Sequence, residues 1–349
     1  MDRAIQNGLL PGGVALVRHN GVQIMLKAYG LSRKYSGATE LADDPIAATS
    51  DTLYDLASLT KLFTSTAAMR MLEQRRIVLD EPVARWLPDF AAGGKQDVTV
   101  RQLLTHTSGM PADIDLWVLE STHEARIQRV LITPVLTPPG KAFLYSDLGL
   151  IALGHLLEHI GGSTLEQIVR ELVLDPLHLD QTLYRPPAGL RQRIAAAEFE
   201  TDPDRGMVWG EVHDPNAWAL GGVAGHAGLF STAEDLGRFG QFYLNGGTLD
   251  GTRLLQVDTV AEMTRSQIPD LDWRGLGWEL NATYYMGRLA SMQTFGHTGF
   301  TGTSLVLDPR RKLVVVLLTN RVHPSRDGPS INVTRQAVAN AAMVTADAA

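Results

Sequence analysis

The most informative segment of this chain is Thr52-Leu-Tyr-Asp-Leu-Ala-Ser-Leu-Thr-Lys-Leu-Phe-Thr-Ser-Thr-Ala-Ala-Met-Arg-Met-Leu72. Apolar residues recur in it at helical spacing, for example at Leu62 and Met69, so we expect a buried helix. Residues three apart share a helix face, which brings the Ser58 hydroxyl and the Lys61 amine together. A lysine whose pKa is lowered by apolar surroundings can take the proton of a serine and make it a nucleophile. An N-cap serine followed by a surface lysine would give the same pattern.

The composition is that of a globular protein. The chain has 349 residues, of which 44% are hydrophobic and 20% are charged, and its net charge is −7. No basic cluster stands out, so we expect no nucleic-acid partner. The absence of cysteine excludes disulfides, thiolate metal sites and a cysteine nucleophile.

The sequence also bears on membranes and on the cellular compartment. No apolar run approaches the roughly 20 residues of a membrane helix, so we expect no membrane span. The first residues lack the basic and then apolar pattern of a signal peptide. The protein is therefore cytoplasmic if the chain is complete, and periplasmic or secreted if a leader has been removed. The sequence leaves the oligomeric state open.

Strand patterns lie near both ends of the chain and helical patterns lie between them. Residues 13–30 contain two β runs joined by Asn20-Gly21, the strongest short hairpin signal. Residues 302–309 and 313–319 also have strand patterns. Helical apolar spacing is found at 102–109, 124–130, 149–160, 165–173 and 333–343, and Ser231-Thr-Ala-Glu234 predicts a capping box that opens a helix to about Leu244. This order predicts an α+β fold, with a sheet made from both chain ends and a mostly helical insertion.

Two further motifs carry reactive or unusual residues. Tyr145-Ser-Asp147 lies between helical segments, where a tyrosine beside a cation can act as a general base. It could equally be a packing tyrosine next to an N-cap. His297-Thr-Gly299 lies in a glycine-rich segment at a strand start, where backbone must approach another group closely. The plainer interpretation is a bulged strand.

In this order, Ser58-Leu-Thr-Lys61, Tyr145-Ser-Asp147 and His297-Thr-Gly299 resemble the motifs of the serine β-lactamase-like superfamily. That superfamily includes class C β-lactamases, penicillin-binding D,D-peptidases and family VIII carboxylesterases. The resemblance implies an antiparallel sheet flanked by helices. It also implies a discontinuous sheet domain of residues 1–75 and 225–349, a mostly helical domain of residues 76–224, and an active site at their interface.

The resemblance also implies roles for individual residues. Ser58 would be the acylated nucleophile, and Lys61 and Tyr145 would share the proton transfers. The backbone N–H groups of Ser58 and Phe300 would form the oxyanion hole. The substrate-binding residues would be Asp147, His297, Thr298 and Gly299. Neither a metal ion nor a cofactor is expected.

Two departures from the family pattern bear on the substrate. Asp147 stands where asparagine is usual; a carboxylate only accepts hydrogen bonds, so Asp147 either holds Lys61 as an ammonium or anchors the loop. His297 stands where lysine is common, and a histidine is only partly charged near neutral pH. We therefore expect a carboxylesterase acting on small-molecule esters. A D,D-peptidase, a D-aminopeptidase or a β-lactamase is the alternative, with an amide or β-lactam substrate, and a non-catalytic penicillin-recognising sensor is a third class.

Two histidine patterns compete with this interpretation. His155-Leu-Leu-Glu-His159 matches a zinc-peptidase pattern, but an ordinary amphipathic helix explains it. His106 falls at a helix end, where we expect it to bond to local backbone.

Overall fold

Strands from both ends of the chain build the main sheet in the computed structural model, which describes residues 1–348. Seven strands are antiparallel neighbours in the order β11-β12-β13-β14-β1-β2-β3. Three smaller sheets have the orders β4-β8-β5, β6-β7 and β9-β10. The strands are β1 (Gly12–His19), β2 (Val22–Tyr35), β3 (Leu41–Ala47), β4 (Tyr54–Asp55), β5 (Leu183–Tyr184), β6 (Phe199–Thr201), β7 (Asp204–Met207), β8 (Leu229–Ser231), β9 (Thr248–Leu249), β10 (Thr252–Arg253), β11 (Glu279–Leu280), β12 (Phe295–Thr298), β13 (Ser304–Asp308) and β14 (Leu313–Thr319).

Helices fill most of the middle of the chain and also cover the sheet. The α-helices are α1 (Asp2–Gln6), α2 (Thr60–Glu73), α3 (Val100–Leu104), α4 (Leu116–Leu119), α5 (His123–Ile132), α6 (Asp147–Gly161), α7 (Leu165–Val169), α8 (Pro215–Ala219), α9 (Ala233–Leu244), α10 (Val257–Thr264), α11 (Thr283–Met286) and α12 (Asn332–Asp347). Short 3-10 segments are Ala57–Leu59, Val83–Arg85, Pro88–Gly94, Ala188–Arg193 and Gly287–Leu289, and Arg170–Leu174 forms a π turn. No helix among residues 1–348 combines the length and apolarity needed to cross a membrane.

The centre of the sheet joins the two chain ends. Strand β1 pairs with β2 on one side and with β14 on the other, with Leu16 opposite both Leu26 and Val316. The β1–β2 turn is the expected hairpin, in which Asn20 and Gly21 both have positive φ. Such a turn matches the right-handed twist of the strands it connects. The α+β class and the sheet built from both chain ends are therefore confirmed.

At β1, β13 and β14 both faces of the sheet are buried, and successive side chains alternate between these two faces. Leu16 lies in the large core that contains α2 and α9, whereas Val17 lies in a second core with Ala339 of α12. Helix α9 lies very close to the sheet, since a Cβ on Gly240 would approach Val314 to 2.7 Å. The molecule therefore has three layers, with α2 and α9 on one face of the sheet and α12 on the other.

Three helix boundaries differ from the sequence expectations. Helix α3 ends at Leu104, so residues 105–109 are not helical; His106 there has φ of 57°. Helix α9 is capped by Thr232, whose side chain accepts from the Asp235 N–H, and not by Ser231. The pattern at 165–173 continues from α7 into the π turn. The proposed division into domains 1–75 with 225–349 and 76–224 stays a prediction.

Leu16→Ala should lower the free energy of unfolding by about 2–5 kcal/mol, because it leaves a cavity in the fully buried centre of the sheet. Val22→Ala is the control on the neighbouring strand, where the side chain is 63% exposed. It should change stability by less than about 0.5 kcal/mol. Urea denaturation of both variants measures the difference, and equal midpoints would contradict this account of the core.

Candidate active site

The serine and lysine of the first motif are in direct contact. Lys61 Nζ donates a hydrogen bond to Ser58 Oγ over 2.8 Å and another to the carbonyl of His226 over 3.2 Å. Ser58 lies in the 3-10 turn Ala57–Leu59, and Lys61 lies in the first turn of α2. The Lys61 side chain is 1% exposed. The helix geometry thus holds a hydroxyl against an amine that water does not reach.

Asp147 determines the charge of that amine. Its Oδ1 lies 2.7 Å from Lys61 Nζ. Burial alone would lower the pKa of Lys61, but the Asp147 carboxylate and the neighbouring Tyr145 outweigh it and raise the pKa above its usual value. Lys61 is therefore an ammonium at neutral pH. The expectation that apolar surroundings lower the pKa of Lys61 is wrong, because Asp147 and Tyr145 together outweigh the effect of burial.

Tyr145 completes a compact group of polar side chains. Lys61 Nζ lies 4.9 Å from the centre of the Tyr145 ring. Burial raises the pKa of Tyr145, and the Lys61 ammonium opposes this increase only in part. The next residue, Ser146, caps α6 by accepting from the Gly149 N–H, and its own hydroxyl donates to the carbonyl of Pro111. The cap fixes the position of Tyr145 at the start of the helix.

His106 packs against Tyr145 and binds the backbone of the residue that follows it. Its ring stacks on that of Tyr145 at a centroid distance of 4.4 Å. Its Nδ1 accepts a hydrogen bond from the Ser146 N–H over 3.0 Å. The backbone group that it binds is 40 positions away along the chain, so the bond is not local as expected. Burial, followed by the charge of Arg274, holds the pKa of His106 well below its usual value.

His297 is an uncharged side chain. It lies on β12 and donates from Nδ1 to the carbonyl of Thr298 over 2.8 Å. Burial and the positive charges of Lys61 and Arg274 lower the pKa of His297 to about 3. The histidine is therefore neutral at neutral pH, and not partly charged as the sequence alone indicated. Its ring centre lies 6.0 Å from that of Tyr145.

The glycine-rich turn after β12 lies against the segment that carries Ser58. A Cβ on Gly299 would approach the carbonyl oxygen of Leu56 to 2.4 Å, so only glycine fits. The Thr301 hydroxyl donates to the carbonyl of Asp55 over 2.7 Å. Within residues 1–348, the backbone N–H groups of Ser58 and Phe300 donate to no other protein group. Two free donors are thus available at the positions expected for an oxyanion hole.

Six of the eight expected site residues border one cavity of about 520 Å³. Ser58, Tyr145, His297, Thr298, Gly299 and Phe300 line it, whereas Lys61 and Asp147 lie behind this wall. The other lining residues were not expected from the sequence, and five of them are charged or aromatic: Arg274, Glu279, Tyr284, Arg321 and Arg335. Arg321 and Arg335 lie well apart in the sequence from Arg274, Glu279 and Tyr284, and no spacing indicates that they meet.

Two groups of side chains have the geometry of metal ligands: Asp147 with Asp214 and His226, and Glu198 with Glu200 and His213. In each group at least one carboxylate is already paired with a cation from outside the group. Lys61 pairs with Asp147, and Arg326 pairs with both Glu198 and Glu200. The pair His155 and His159 is in neither group, and His155 lies 3.6 Å from Glu158.

Comparison with known proteins places the chain in a family. Residues 1–340 match the family model described as Beta-lactamase. One relative, from Salmonella agona (strain SL483), bears a provisional name as a D-alanyl-D-alanine carboxypeptidase. It is 34% identical over 367 aligned residues, which cover 95% of this chain and 84% of the relative. The chain therefore belongs to the β-lactamase family, whose members are generally serine hydrolases.

Two solved structures share the fold. The hydrolase EstCE1, described as having promiscuous acyltransferase activity, has a TM-score of 0.76 at 24% identity, covering 97% of this chain and 96% of that one. A class C β-lactamase from Rhodobacter sphaeroides has a TM-score of 0.75 at 20% identity, covering 100% and 98%. At these identities the likeness establishes the β-lactamase-like fold, and the choice of substrate rests on the site.

Asp147→Asn should lower the pKa of Lys61, because it removes the carboxylate that raises it. If Lys61 must lose a proton before Ser58 reacts, the rising limb of kcat/KM against pH should move to lower pH by about 1 unit or more. The pH profile of ester hydrolysis measures this. Asp308→Asn, a buried carboxylate at the far end of β13, is the control and should leave the limb in place. An unmoved limb in Asp147→Asn would show that Asp147 does not control the titration.

Proposed function

We propose that this protein is a serine hydrolase that acts through an acyl-enzyme on Ser58, with short-chain carboxylic esters as its substrates. The observation that carries the proposal is the 2.8 Å contact between Ser58 Oγ and Lys61 Nζ, beside Tyr145 and facing a cavity. A binding protein would need the cavity but would not need a serine held against two proton-transfer groups.

The reaction follows from the position of each group. Ser58 Oγ attacks the carbonyl carbon of the ester while its proton passes to the pair formed by Lys61 and Tyr145. The N–H groups of Ser58 and Phe300 stabilise the oxyanion of the tetrahedral intermediate. The same pair then returns the proton to the departing alcohol. Water attacks the Ser58 acyl ester in the second half-reaction and releases the acid.

Lys61 and Tyr145 act together in accepting the proton of Ser58. The Lys61 ammonium already donates to Ser58 Oγ, so in the resting state it cannot also accept the Ser58 proton. Either Tyr145 receives that proton with the ammonium stabilising its phenolate, or Lys61 first loses its own. Lys61 and Tyr145 interact so strongly that the pKa of neither group alone can be assigned to the transfer of the Ser58 proton.

Two features of the site favour esters over substrates that carry a carboxylate or an amide side chain. His297 is neutral, so it offers no fixed charge to a carboxylate. Asp147 is paired with Lys61 behind the cavity lining, so the site offers no N–H at this position to hold an amide carbonyl. Neither feature hinders a small neutral ester.

Ser58→Ala should abolish hydrolysis of p-nitrophenyl esters, because no other group takes the place of the nucleophile. The expected loss is about 10⁴-fold or more in kcat. Ser65→Ala is the matched control, since Ser65 is a buried serine of α2, the helix that follows Ser58, and does not line the cavity. Ester turnover that survives in Ser58→Ala would refute the acyl-enzyme.

The same assay distinguishes the other classes. Turnover of a chromogenic cephalosporin or of a peptide ending in D-Ala-D-Ala, far above ester turnover, would make the protein a β-lactamase or a D,D-peptidase. Covalent labelling of Ser58 without turnover would make it a sensor.

A D,D-peptidase is the second candidate, and Arg321 is the observation in its favour. The half-buried guanidinium lines the cavity, donates to the carbonyls of Phe300 and Arg326, and forms no ion pair within residues 1–348. A cation without a counter-ion is suited to a substrate carboxylate. The Salmonella agona relative bears the name of an enzyme for such a substrate.

Arg321→Gln tests this second candidate. If Arg321 binds a carboxylate, the ratio of D-Ala-D-Ala peptide turnover to neutral ester turnover should fall about tenfold, because a charged hydrogen bond is lost. Arg310→Gln, an exposed arginine in the β13–β14 turn, is the control. An unchanged ratio would remove the reason to consider a carboxylate substrate.

A further inference from the structure

Arg335 is a buried cation that no sequence motif indicates. It lies in the first turn of α12, close to the glycine-rich turn after β12. Its Nη2 donates to the carbonyl of Gly299 over 2.8 Å and to the carbonyl of Thr303 over 3.0 Å. Its Nη1 donates to Asn332 Oδ1 over 2.9 Å. The two carbonyls bracket the turn that carries Phe300, so one guanidinium ties both ends of this turn to α12.

The bond to Gly299 acts on a specific peptide group. The Gly299 carbonyl and the Phe300 N–H belong to the same planar trans peptide and point in opposite directions. A guanidinium that holds the carbonyl from behind therefore directs the N–H into the cavity. It also polarises the peptide, which makes the N–H a stronger donor.

The charge of Arg335 has no counter-ion. Within residues 1–348 its hydrogen-bond partners are two carbonyls and an amide oxygen, and it forms no ion pair. Glu279, the carboxylate that lines the same cavity, is paired with Arg274. Burial lowers the pKa of Arg335 to about 10, so the group stays charged at neutral pH. A buried, unpaired cation is costly, and this one lies where negative charge would develop.

We propose that Arg335 is a positioning residue of the oxyanion hole, which orients and polarises the Gly299–Phe300 peptide so that the Phe300 N–H can stabilise the tetrahedral intermediate. The inference rests on the acyl-enzyme proposed above and adds to it a group that acts through the Phe300 N–H and not by binding the substrate.

The test uses the full-length protein and neutral p-nitrophenyl acetate, which has no carboxylate for Arg335 to bind. Arg335→Met should lower kcat by about tenfold, with KM changed less than about twofold, because the effect acts on the transition state. The Ki of phenylboronic acid should rise in parallel, since its tetrahedral adduct with Ser58 also places a negatively charged oxygen in the hole. Arg335→Lys should recover part of the loss.

Arg126→Met is the matched control. Arg126 also donates from its guanidinium to a backbone carbonyl, that of Ala219, forms no ion pair within residues 1–348 and does not line the cavity. Its loss should leave kcat and the Ki of phenylboronic acid unchanged.

An infrared measurement separates polarisation from a general loss of structure. The carbonyl stretch of an isotope-labelled acyl-enzyme moves to lower frequency when the oxyanion hole donates strongly. In Arg335→Lys the stretch should shift back to higher frequency, and this variant decides the case if Arg335→Met does not fold. An unchanged kcat and stretch in a folded Arg335 variant would overturn the proposal. So would a loss seen only with substrates that carry a carboxylate, since Arg335 would then bind substrate directly.

Labelling of the unmutated protein with a fluorophosphonate distinguishes a failure of the acyl-enzyme proposal from a failure of the Arg335 proposal. If Ser58 is not labelled, the acyl-enzyme is wrong and the role of Arg335 is wrong with it. If Ser58 is labelled and the Arg335 variants react at the same rate as the unmutated protein, only the role of Arg335 is wrong.

Discussion

Lys61 carries a positive charge where water does not reach it, and the rest of the site is organised around that charge. Burial disfavours an ammonium, but the carboxylate of Asp147, 2.7 Å away, and the neighbouring Tyr145 together outweigh this cost. Burial and the retained charge lower the pKa of His297, and the same charge limits the rise that burial causes in the pKa of Tyr145. Burial and this ion pair together set the protonation states of the groups that surround Ser58.

The sheet explains how these groups come to meet. Lys61 comes from the N-terminal part of the chain, Tyr145 and Asp147 begin a helix in its middle, and His297 lies on a strand near its end. Strand β14 pairs with β1, and this pairing brings the last third of the chain beside the first. The turn after β12 then packs so closely on the Ser58 segment that residue 299 must be glycine. Arg335 extends the same arrangement, because α12 covers the sheet and reaches the turn that carries Phe300.

Local patterns predicted local structure well. The Asn20-Gly21 hairpin, the strand at 313–319 and the terminal helix all form, since turn chemistry and apolar spacing act over a few residues. The predictions of secondary structure that were wrong concern the ends of helices. The pattern at 102–109 resembles a helix throughout, yet the chain leaves the helix after Leu104 and His106 adopts a positive φ. There a tertiary contact, the stacking of His106 on Tyr145, outweighs local preference.

The sequence by itself determined the α+β class and the set of residues Ser58, Lys61, Tyr145 and His297, because short motifs in a fixed order carry that information. It did not determine the charges of these residues, since a pKa depends on the groups that folding brings near. Only the tertiary structure decided that Lys61 is an ammonium, that His297 is neutral, and that Arg274, Arg321 and Arg335 line the cavity. These arginines lie on separate segments of the chain, and only tertiary packing, such as that of α12 against β14 and of β12 against the Ser58 segment, brings them to one place.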